Sequence, residues 1–429
     1  GRLSQVKVGS DTTSYTYLAN GNRESMTYPN GIVAEYTYYA DNRLHTLANK
    51  QGVNIIEAFS YAYDAAGNLQ TKLDAKGTTS YTYDELNRLE SVTEPGGKVT
   101  EYTFDAAGNR TSEEVTEAST QILTNYTYDE LNRLIDTDEI LSSSANKVTS
   151  YYYDANGNMT GSQVETVTDY DAANVASLSI FVLGKDAPDD GTALYEYDAY
   201  SRKISVYEGE YVMRNTYNGD GLRVKKEVTQ EGETETTQYL YDYDKVVLET
   251  DGNGAQTAYN VYGNDTLISR TAAGVTLYYL YNGHGDVTAL TTSNGTVVAG
   301  YYYDAFGEVV EETGVCAGDN PYRYAGYTYD TESDLYYLQA RYYAPKIARF
   351  MSEDTYLGST ADPLSLNLYT YCANNPLVYF DPTGHVVTQY DINNCSAEQL
   401  AAIQAATDAW NNATTQAEKD AAHAAAEAA

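Results

Sequence analysis

A tyrosine-rich motif recurs along most of this chain at a nearly constant spacing. Its clearest copies, two aromatic residues around a spacer followed by Asp and a Gly or Asn turn, are Tyr61–Leu69, Tyr81–Leu89 and Tyr102–Arg110. Further copies start at Tyr126, Tyr151, Tyr195 and Tyr301. From position 64 the Asp recurs at 84, 105, 129 and 154, at intervals of 20, 21, 24 and 25 residues. Such self-similarity predicts a repeat architecture.

One repeat carries the signals of a β-hairpin. Y-x-Y places two rings on one face of a strand, because side chains alternate along a strand with period two. The Asp can accept hydrogen bonds from backbone amides two residues on, and the following Gly or Asn tolerates the positive φ of a tight turn. About 20 residues then supply two strands of ordinary length with their turns.

A single hairpin is only marginally stable in water, so neighbouring repeats are expected to pair edge to edge. A sheet that grows in this way twists, and it has to wind or close to limit its exposed edges. The period alone predicts a mainly β fold and leaves open an extended solenoid, a barrel or a propeller. Residues 161–193 interrupt the rhythm and are predicted to be an insertion or loop, whereas residues 205–300 keep looser repeats.

The formal charge of −35 argues against binding to nucleic acid or to an anionic membrane, since both require positive charge. The sequence contains no run of 18 apolar residues, so no membrane span is predicted. The opening residues GRLSQV resemble the second half of a repeat. We therefore expect a piece of a longer protein, with any export signal upstream.

No motif for a metal, a cofactor or a nucleophilic triad occurs, and neither a cofactor nor a metal site is predicted. The four histidines are far apart in sequence, and the three cysteines form no C-x-x-C pair. The turn Asp251–Gly254 could hold a cation, but ordinary turn chemistry explains it better. Exposed tyrosines could stack on sugars, although most Y-x-Y pairs are expected to be structural.

The segment Asn320–Gly384 closely resembles the Rhs-repeat-associated core of the bacterial Rhs/YD-repeat polymorphic toxin family. The motifs that carry the resemblance are R-Y-Y at 341–343, A-R-F at 348–350, S-E-D at 352–354, N-L-Y-x-Y at 367–371, N-N-P at 374–376 and D-P-T-G at 381–384. The resemblance implies a spiral β-shell of tandem hairpins that encloses a cavity and is closed by the core. It implies three parts: a shell at 1–313, a core at 314–385 and the start of the cargo at 386–429.

The same resemblance implies an aspartyl-type autoprotease in the core. The family is cut one residue after its DPxG motif, here Asp381-Pro382-Thr383-Gly384, which predicts the bond between His385 and Val386. The family's catalytic carboxylates correspond to position 344 and Asp354, with Arg341 orienting or polarising them. Position 344 is Ala344, which can neither accept nor donate a proton, so self-cleavage is predicted to be absent or severely slowed.

Two other interpretations of these residues stay open at this point. Arg341 and Asp354 could be a buried ion pair that braces the core. Alternatively, the protease could be active with another carboxylate beside Asp354, such as Asp362 or Asp381.

The composition changes after Gly384, and an α-helical tail is predicted there. Capping boxes at 396–399 and 415–418 precede Ala-rich segments, and the 44 residues offer no nucleophile or phosphate site. The resemblance implies a delivery shell whose partner is its own enclosed C-terminal toxin, together with a secretion apparatus or an immunity protein, in a secreted or cell-surface location. The alternative function is an adhesion or carbohydrate-binding shell like that of the teneurins, with no released cargo.

Overall fold

A computed structural model describes residues 2–142, 145–168, 192–263, 266–360, 362–385, 388–389 and 421. In them, 27 strands form one antiparallel sheet in which each strand pairs with the next along the chain. The strands are β1 (Gln5–Val8), β2 (Asp11–Tyr17), β3 (Arg23–Thr27), β4 (Ile32–Tyr38), β5 (Leu44–Gln51), β6 (Asn54–Tyr63), β7 (Leu69–Asp74), β8 (Gly77–Tyr83), β9 (Leu89–Thr93), β10 (Val99–Phe104), β11 (Arg110–Glu117), β12 (Thr120–Tyr128), β13 (Leu134–Ser142), β14 (Ala145–Tyr153), β15 (Met159–Thr168), β16 (Ala193–Tyr197), β17 (Lys203–Glu208), β18 (Tyr211–Tyr217), β19 (Arg223–Gln230), β20 (Glu233–Asp242), β21 (Lys245–Thr250), β22 (Gln256–Gly263), β23 (Thr266–Ala272), β24 (Val275–Tyr281), β25 (Val287–Thr291), β26 (Val297–Tyr303) and β27 (Val309–Thr313). The predicted mainly β fold is confirmed.

The Asp of each repeat organises a turn, as the sequence predicts. In the repeat that contains Asp64, its Oδ1 accepts hydrogen bonds from the backbone N–H of Ala66 at 2.9 Å and of Asn68 at 2.8 Å. Gly67 has φ +96°, and Asn87 at the matching position of the next repeat has φ +62°. The same carboxylate geometry recurs in successive turns, so a single local rule builds the array.

The two tyrosines of each repeat lie on one face of the sheet and differ in how deeply they are buried. The first, such as Tyr81, is buried in the core, and the second, such as Tyr83, packs against it from a partly buried position. The strand pairing shifts register between Thr82 and Tyr83, as it does at the second aromatic residue of most repeats, which adds local right-handed twist. The Tyr83 hydroxyl donates to the carbonyl of Leu69, 14 residues earlier, at 2.8 Å. This bond ties each repeat to the previous one and explains the preference for Tyr over Phe.

Replacing a repeat Asp by Ala should destabilise the fold measurably. Asp84 Oδ1 accepts from the N–H groups of Leu86 and Arg88, each at 2.9 Å, and Oδ2 accepts from Arg88 Nε at 2.7 Å. Because Asp84→Ala removes all three bonds, we expect a loss of about 1–2 kcal/mol in the free energy of unfolding. Urea unfolding checks this, with the exposed neighbour Glu85→Ala as the matched control. Equal effects of the two variants would contradict the assigned role of the turn.

The sheet winds until its last strands lie beside its first. The Tyr28 hydroxyl, next to β3, donates to the carbonyl of Tyr279 in β24 at 2.7 Å, although 251 residues separate them. The Gly283 N–H likewise donates to the Tyr61 hydroxyl at 2.7 Å. The sheet is nevertheless not closed by hydrogen bonding, because among the described residues β1 pairs only with β2 and β27 only with β26. The sheet is therefore wound, with two edges that strand pairing does not join among the described residues, and closure of the shell by the core stays a prediction.

The segment after the large sheet forms a smaller unit, which we call the plug (residues 320–385). Its strands are β28 (Thr328–Asp330), β29 (Leu335–Leu338), β30 (Arg341–Ala344), β31 (Arg349–Phe350) and β32 (Tyr379–Phe380), and β32 pairs with β33 (Thr388–Gln389). Short 3-10 helices cover Tyr324–Gly326, Pro345–Ile347, Pro363–Leu366 and Cys372–Asn374. The plug is buried against the Tyr-rich face, since the core clusters combine its side chains with those of the large sheet.

The plug is held by hydrogen bonds to the turns of the repeats. Its donors reach the turns that begin at Asp64, Asp84, Asp105, Asp129, Asp154 and Asp304. Asn375 Nδ2, for example, donates to the carbonyl of Asn87 at 2.8 Å, and the Tyr369 hydroxyl to that of Gly157 at 2.8 Å. Many of the acceptors are main-chain carbonyl oxygens, so the plug contacts the regular backbone of the turns.

One prediction from the sequence is wrong in part, and another lies almost wholly outside the described residues. Residues 161–168 belong to β15 and are not the predicted insertion or loop, because they pair with β14 in regular register. Residues 169–191 of that predicted insertion lie outside the described residues, as does nearly all of the predicted helical tail at 386–429. At the end of the predicted insertion, Ala193 belongs to β16. Within the described ranges, no helix is long and apolar enough to cross a membrane.

Candidate functional site

Arg341, at the start of β30, connects three of the plug's motifs. Its Nη2 lies 2.6 Å from Asp354 Oδ2, and its Nη1 donates to the carbonyl of Leu368 at 3.0 Å. Its Nε donates to the carbonyl of Gly384, and the guanidinium carbon lies 3.6 Å from the centre of the Phe350 ring. The side chain is only 5% exposed. A single buried arginine therefore joins the R-Y-Y strand, the S-E-D segment and the end of the D-P-T-G turn.

The D-P-T-G turn is fixed by the buried side chain of Asp381. Its Oδ1 accepts from the N–H groups of Thr383 at 3.2 Å, Gly384 at 2.8 Å and His385 at 3.1 Å. Gly384 has φ +79°, and a Cβ there would lie 2.8 Å from the carbonyl oxygen of Leu338. This position consequently requires glycine for two reasons, its backbone conformation and its close neighbours.

The carboxyl groups of Asp354 and Asp381 both lie near Arg341 and have opposite pKa shifts. Burial would raise the pKa of Asp354, but Arg341 and His385 outweigh it, so the pKa lies below its usual range. Burial raises the pKa of Asp381, with Arg341 opposing and the nearby Asp354 charge adding to the rise. Arg341 Nη2 is 3.6 Å from Asp381 Oδ2. A charged carboxylate beside one that holds its proton more firmly is the arrangement that acid–base chemistry by carboxylates requires.

The structure brings together Arg341, Asp354, Asp381, Gly384 and His385, but it places Ala344 differently. Tyr343, which shares its face of β30 with Arg341, packs in one core cluster with Tyr336. Ala344 packs in another cluster with Ile347 and Met351. Successive residues of β30 point to opposite faces, so Ala344 lies on the face opposite Arg341.

The remaining predicted residues are distributed as follows. Asp362, weighed as a substitute carboxylate, is exposed at the start of a 3-10 helix. Pro382 is partly buried within the turn, and Val386 lies outside the described residues. The substitute partner that the fold brings to Asp354 is therefore Asp381.

One side-chain contact of the candidate site is not predicted from the sequence. His385 Nδ1 lies 3.0 Å from Asp354 Oδ1, and both side chains are largely buried, at 12% and 13% exposure. The two residues are 31 positions apart, so no local pattern predicts the contact. The only signal in the sequence is that His stands where the resemblance leads one to expect Leu after the D-P-T-G motif.

Comparison with protein families finds models that match the repeats and most of the plug. Residues 110–377 match the family model described as Teneurin YD-shell, which is more than half of the chain. Residues 63–99 and 83–121 match the model described as RHS Repeat.

Comparison with curated proteins finds toxins and nucleases. The chain is 35% identical over 205 residues to the tRNA3(Ser)-specific nuclease WapA of Bacillus spizizenii, which covers 46% of this chain and 9% of that protein. It is 41% identical over 70 residues to the toxin protein Tse5 of Pseudomonas aeruginosa, covering 16% of this chain and 5% of Tse5. The chain thus spans less than a tenth of the length of the curated relatives that it matches.

A solved structure with similarity to this chain is the crystal structure of TcdB2-TccC3-Cdc42. The alignment has a TM-score of 0.44 and 20% sequence identity, and it covers 87% of this chain and 22% of that one.

Proposed function

This chain belongs to the Rhs/YD-repeat polymorphic toxin family, and on that basis we propose that it is part of a β-shell that encloses and delivers a C-terminal toxin. The plug would hold the start of the cargo, residues 386–429, inside the wound sheet. The partner is then the chain's own toxin, with a secretion apparatus or an immunity protein as external partners. The site of action is proposed to be outside the producing cell, as for a secreted or surface protein.

The observation that carries this proposal is where the plug ends. His385, directly before the proposed cargo, has a side chain that is 12% exposed and bonded to the buried Asp354. The plug itself is bound to six repeat turns from the Tyr-rich face of the sheet. The burial of this last plug residue supports a cargo segment that starts within the assembly of plug and sheet.

The described residues form a small shell. The plug occupies the inner face of the wound sheet, so a protein-sized cargo needs further strands. The outer edge of β1 has backbone groups that could pair with them, since β1 pairs with β2 on its other side. Enclosure of a whole protein-sized cargo is accordingly proposed only together with such further strands, whereas the start of the cargo is proposed to lie inside the sheet that this chain forms.

The single tryptophan of the sequence, Trp410, tests the enclosure directly. If residues 386–429 are enclosed, acrylamide should quench Trp410 fluorescence with a several-fold smaller constant in the native chain than in the urea-unfolded chain. The free peptide 386–429 is the matched control and should be quenched as readily as the unfolded chain. Equal quenching of native chain and free peptide would contradict enclosure and favour the adhesion or carbohydrate-binding alternative.

We further propose that the core is an aspartyl-type self-cleavage centre whose bond is His385–Val386, and that Ala344 leaves cleavage absent or severely slowed. Arg341 would orient the carboxylate of Asp354 and the carbonyl of Gly384, next to the scissile bond. The raised pKa of Asp381 favours a second possibility, in which Asp354 and Asp381 form the acid–base pair and the chain is active. The state of the chain after purification, followed by mass spectrometry, distinguishes the two.

A further inference from the structure

A cavity of about 390 Å³ lies apart from the proposed cleavage site, between early and late repeats of the sheet. Strands β6 to β10 form one wall, and β26 with the turns at 282–286 and 304–308 forms the other. Aromatic rings from both walls contribute to the lining, among them Phe59, Tyr61, Tyr81, Tyr102, Tyr302 and Tyr303, together with a larger number of charged side chains. The volume falls within the range of small-molecule binding sites. No step of the proposed delivery function uses this cavity.

Several charged groups around the cavity neutralise one another. Lys72 Nζ lies 3.3 Å from Asp74 Oδ2, and Lys98 Nζ lies 2.9 Å from Glu94 Oε1. The pairs Arg110–Glu113, at 2.7 Å, and His284–Asp286, at 2.8 Å, complete this set. These pairs leave little net charge for a ligand to meet at their positions.

Besides Glu308, two carboxyl groups of the cavity form no ion pair among the described residues, those of Glu57 and Asp304. Glu57 Oε2 accepts from Thr288 Oγ1 at 2.9 Å and from Asn49 Nδ2 at 3.1 Å, both uncharged donors. Asp304 Oδ1 accepts only backbone N–H groups, from Phe306 at 2.9 Å and Glu308 at 2.8 Å.

Burial raises the pKa values of both carboxyl groups to about 7. The charges that add to this rise are Asp74 for Glu57, and Glu308 and Glu113 for Asp304. Glu57 lies on β6 and is bonded to Thr288 of β25, whereas Asp304 lies in the turn after β26, so the two groups lie in different parts of the cavity.

A buried hydroxyl group without a partner faces the same space. Thr79 is 3% exposed, and its Oγ1 forms no hydrogen bond among the described residues. An enclosed polar atom without a partner costs free energy, which a bound polar group would recover. Thr79 is therefore a second, independent indication that the cavity accepts a ligand with a polar group.

We propose that this cavity binds a linear aliphatic diamine, with one ammonium group at Glu57, the other at Asp304 and the methylene chain along the tyrosine rings. Unpaired carboxylates attract ammonium groups, and aromatic faces attract cations and pack against methylene groups. An uncharged sugar would leave both carboxyl groups without a counter-charge. Within the described residues no group of three or more His, Cys, Asp or Glu is arranged to hold a metal ion, so an organic cation fits better.

The proposal predicts that binding is linked to proton release. At pH 6 Glu57 and Asp304 are mostly protonated in the free chain, because their pKa values are about 7. An ammonium group requires the ionised carboxylate, so binding at pH 6 should release protons, and binding at pH 8 should release almost none. The affinity should fall by about tenfold per carboxyl group between pH 8 and pH 6.

Titration calorimetry of the full chain with 1,4-diaminobutane, in buffers of different ionisation enthalpy, tests the proposal. We expect binding at pH 8, proton release at pH 6, and at least about tenfold weaker binding for Glu57→Gln, which keeps the shape of the side chain. Glu101→Gln is the matched control, since Glu101 is exposed on β10, a strand of the same wall, and it should bind like the parent chain. Thr79→Val should weaken binding while raising the melting temperature of the free chain.

Three results would overturn the proposal. The first is the absence of binding heat at millimolar diamine at pH 8. The second is equal affinity of the parent chain and Glu57→Gln, when both have the same melting curve. The third is binding of glucose with an affinity equal to that of the diamine and without proton release.

Discussion

Replacing Asp330 with Asn is expected to lower the free energy of unfolding by about 3–5 kcal/mol, the largest stability effect that we predict. Asp330 in the plug and Arg223 in β19 are each 1% exposed, with Nη1 and Oδ2 2.5 Å apart and Nη2 and Oδ1 3.0 Å apart. Lys226 Nζ lies 3.1 Å from the same carboxylate. Asn cannot neutralise these cations, so the variant leaves a buried guanidinium without its counter-charge.

Urea unfolding measures this effect, and an exposed ion pair of the plug provides the control. Lys346 and Asp334 are 2.8 Å apart, with side chains 60% and 50% exposed. Solvent screens such a pair, so Asp334→Asn should cost no more than about 1 kcal/mol. If the two variants lose the same stability, the Arg223–Asp330 pair does not hold the plug in the sheet.

The effect of Asp330→Asn should depend on pH in a defined direction. Burial would raise the pKa of Asp330, but Arg223 and Lys226 outweigh it and place the pKa well below its usual value. A carboxyl group with a lowered folded-state pKa contributes its full stability above its unfolded pKa of about 3.9. That contribution is lost as pH falls from there toward the folded-state pKa. The difference between the parent chain and Asp330→Asn should thus be constant near neutral pH and shrink below about pH 4.

Replacing Ala344 with Asp is expected to change an intact chain into two pieces, of 385 and 44 residues, that stay associated. The family resemblance pairs this carboxyl group with Asp354. Because β30 places position 344 on the face opposite Arg341, the pairing requires a local change in the path of β30. Acid–base catalysis of this kind contributes about 10²–10⁴ in rate. Mass spectrometry gives the masses of the pieces, and size-exclusion chromatography tests their association. Ala344→Asn has nearly the same shape without the acid and should stay intact.

The outcomes of this experiment separate the three interpretations of the site. An intact Ala344→Asp variant that melts like the parent chain would show that position 344 is not the partner of Asp354. A parent chain that is already cut, and becomes intact in Asp381→Asn, would assign the chemistry to Asp354 and Asp381. Intact chains in every variant would leave Arg341 and Asp354 as a bracing ion pair.

Local rules of the sequence predict the repeat well. The bonds of Asp64 and the positive φ of Gly67 follow from turn chemistry within five residues, and the shared face of Tyr81 and Tyr83 follows from strand alternation. The partner of the Tyr83 hydroxyl could not be predicted, because it depends on a register shift that the sequence does not mark.

The candidate site is predictable only in part. The motifs select Arg341 and Asp354, but the approach of Asp381 depends on how the plug folds over 27 residues. Alanine at 344 can be seen in the sequence, whereas its position on the face opposite Arg341 requires the path of β30. The cavity depends on contacts between residues more than 200 positions apart, so no sequence pattern indicates it.

The plug contacts the repeats largely through their peptide carbonyl groups, which every turn presents in the same geometry whatever its side chains. This mode of attachment at the turns requires little sequence matching, whereas side-chain pairs such as Arg223–Asp330 match the plug to particular strands of the sheet.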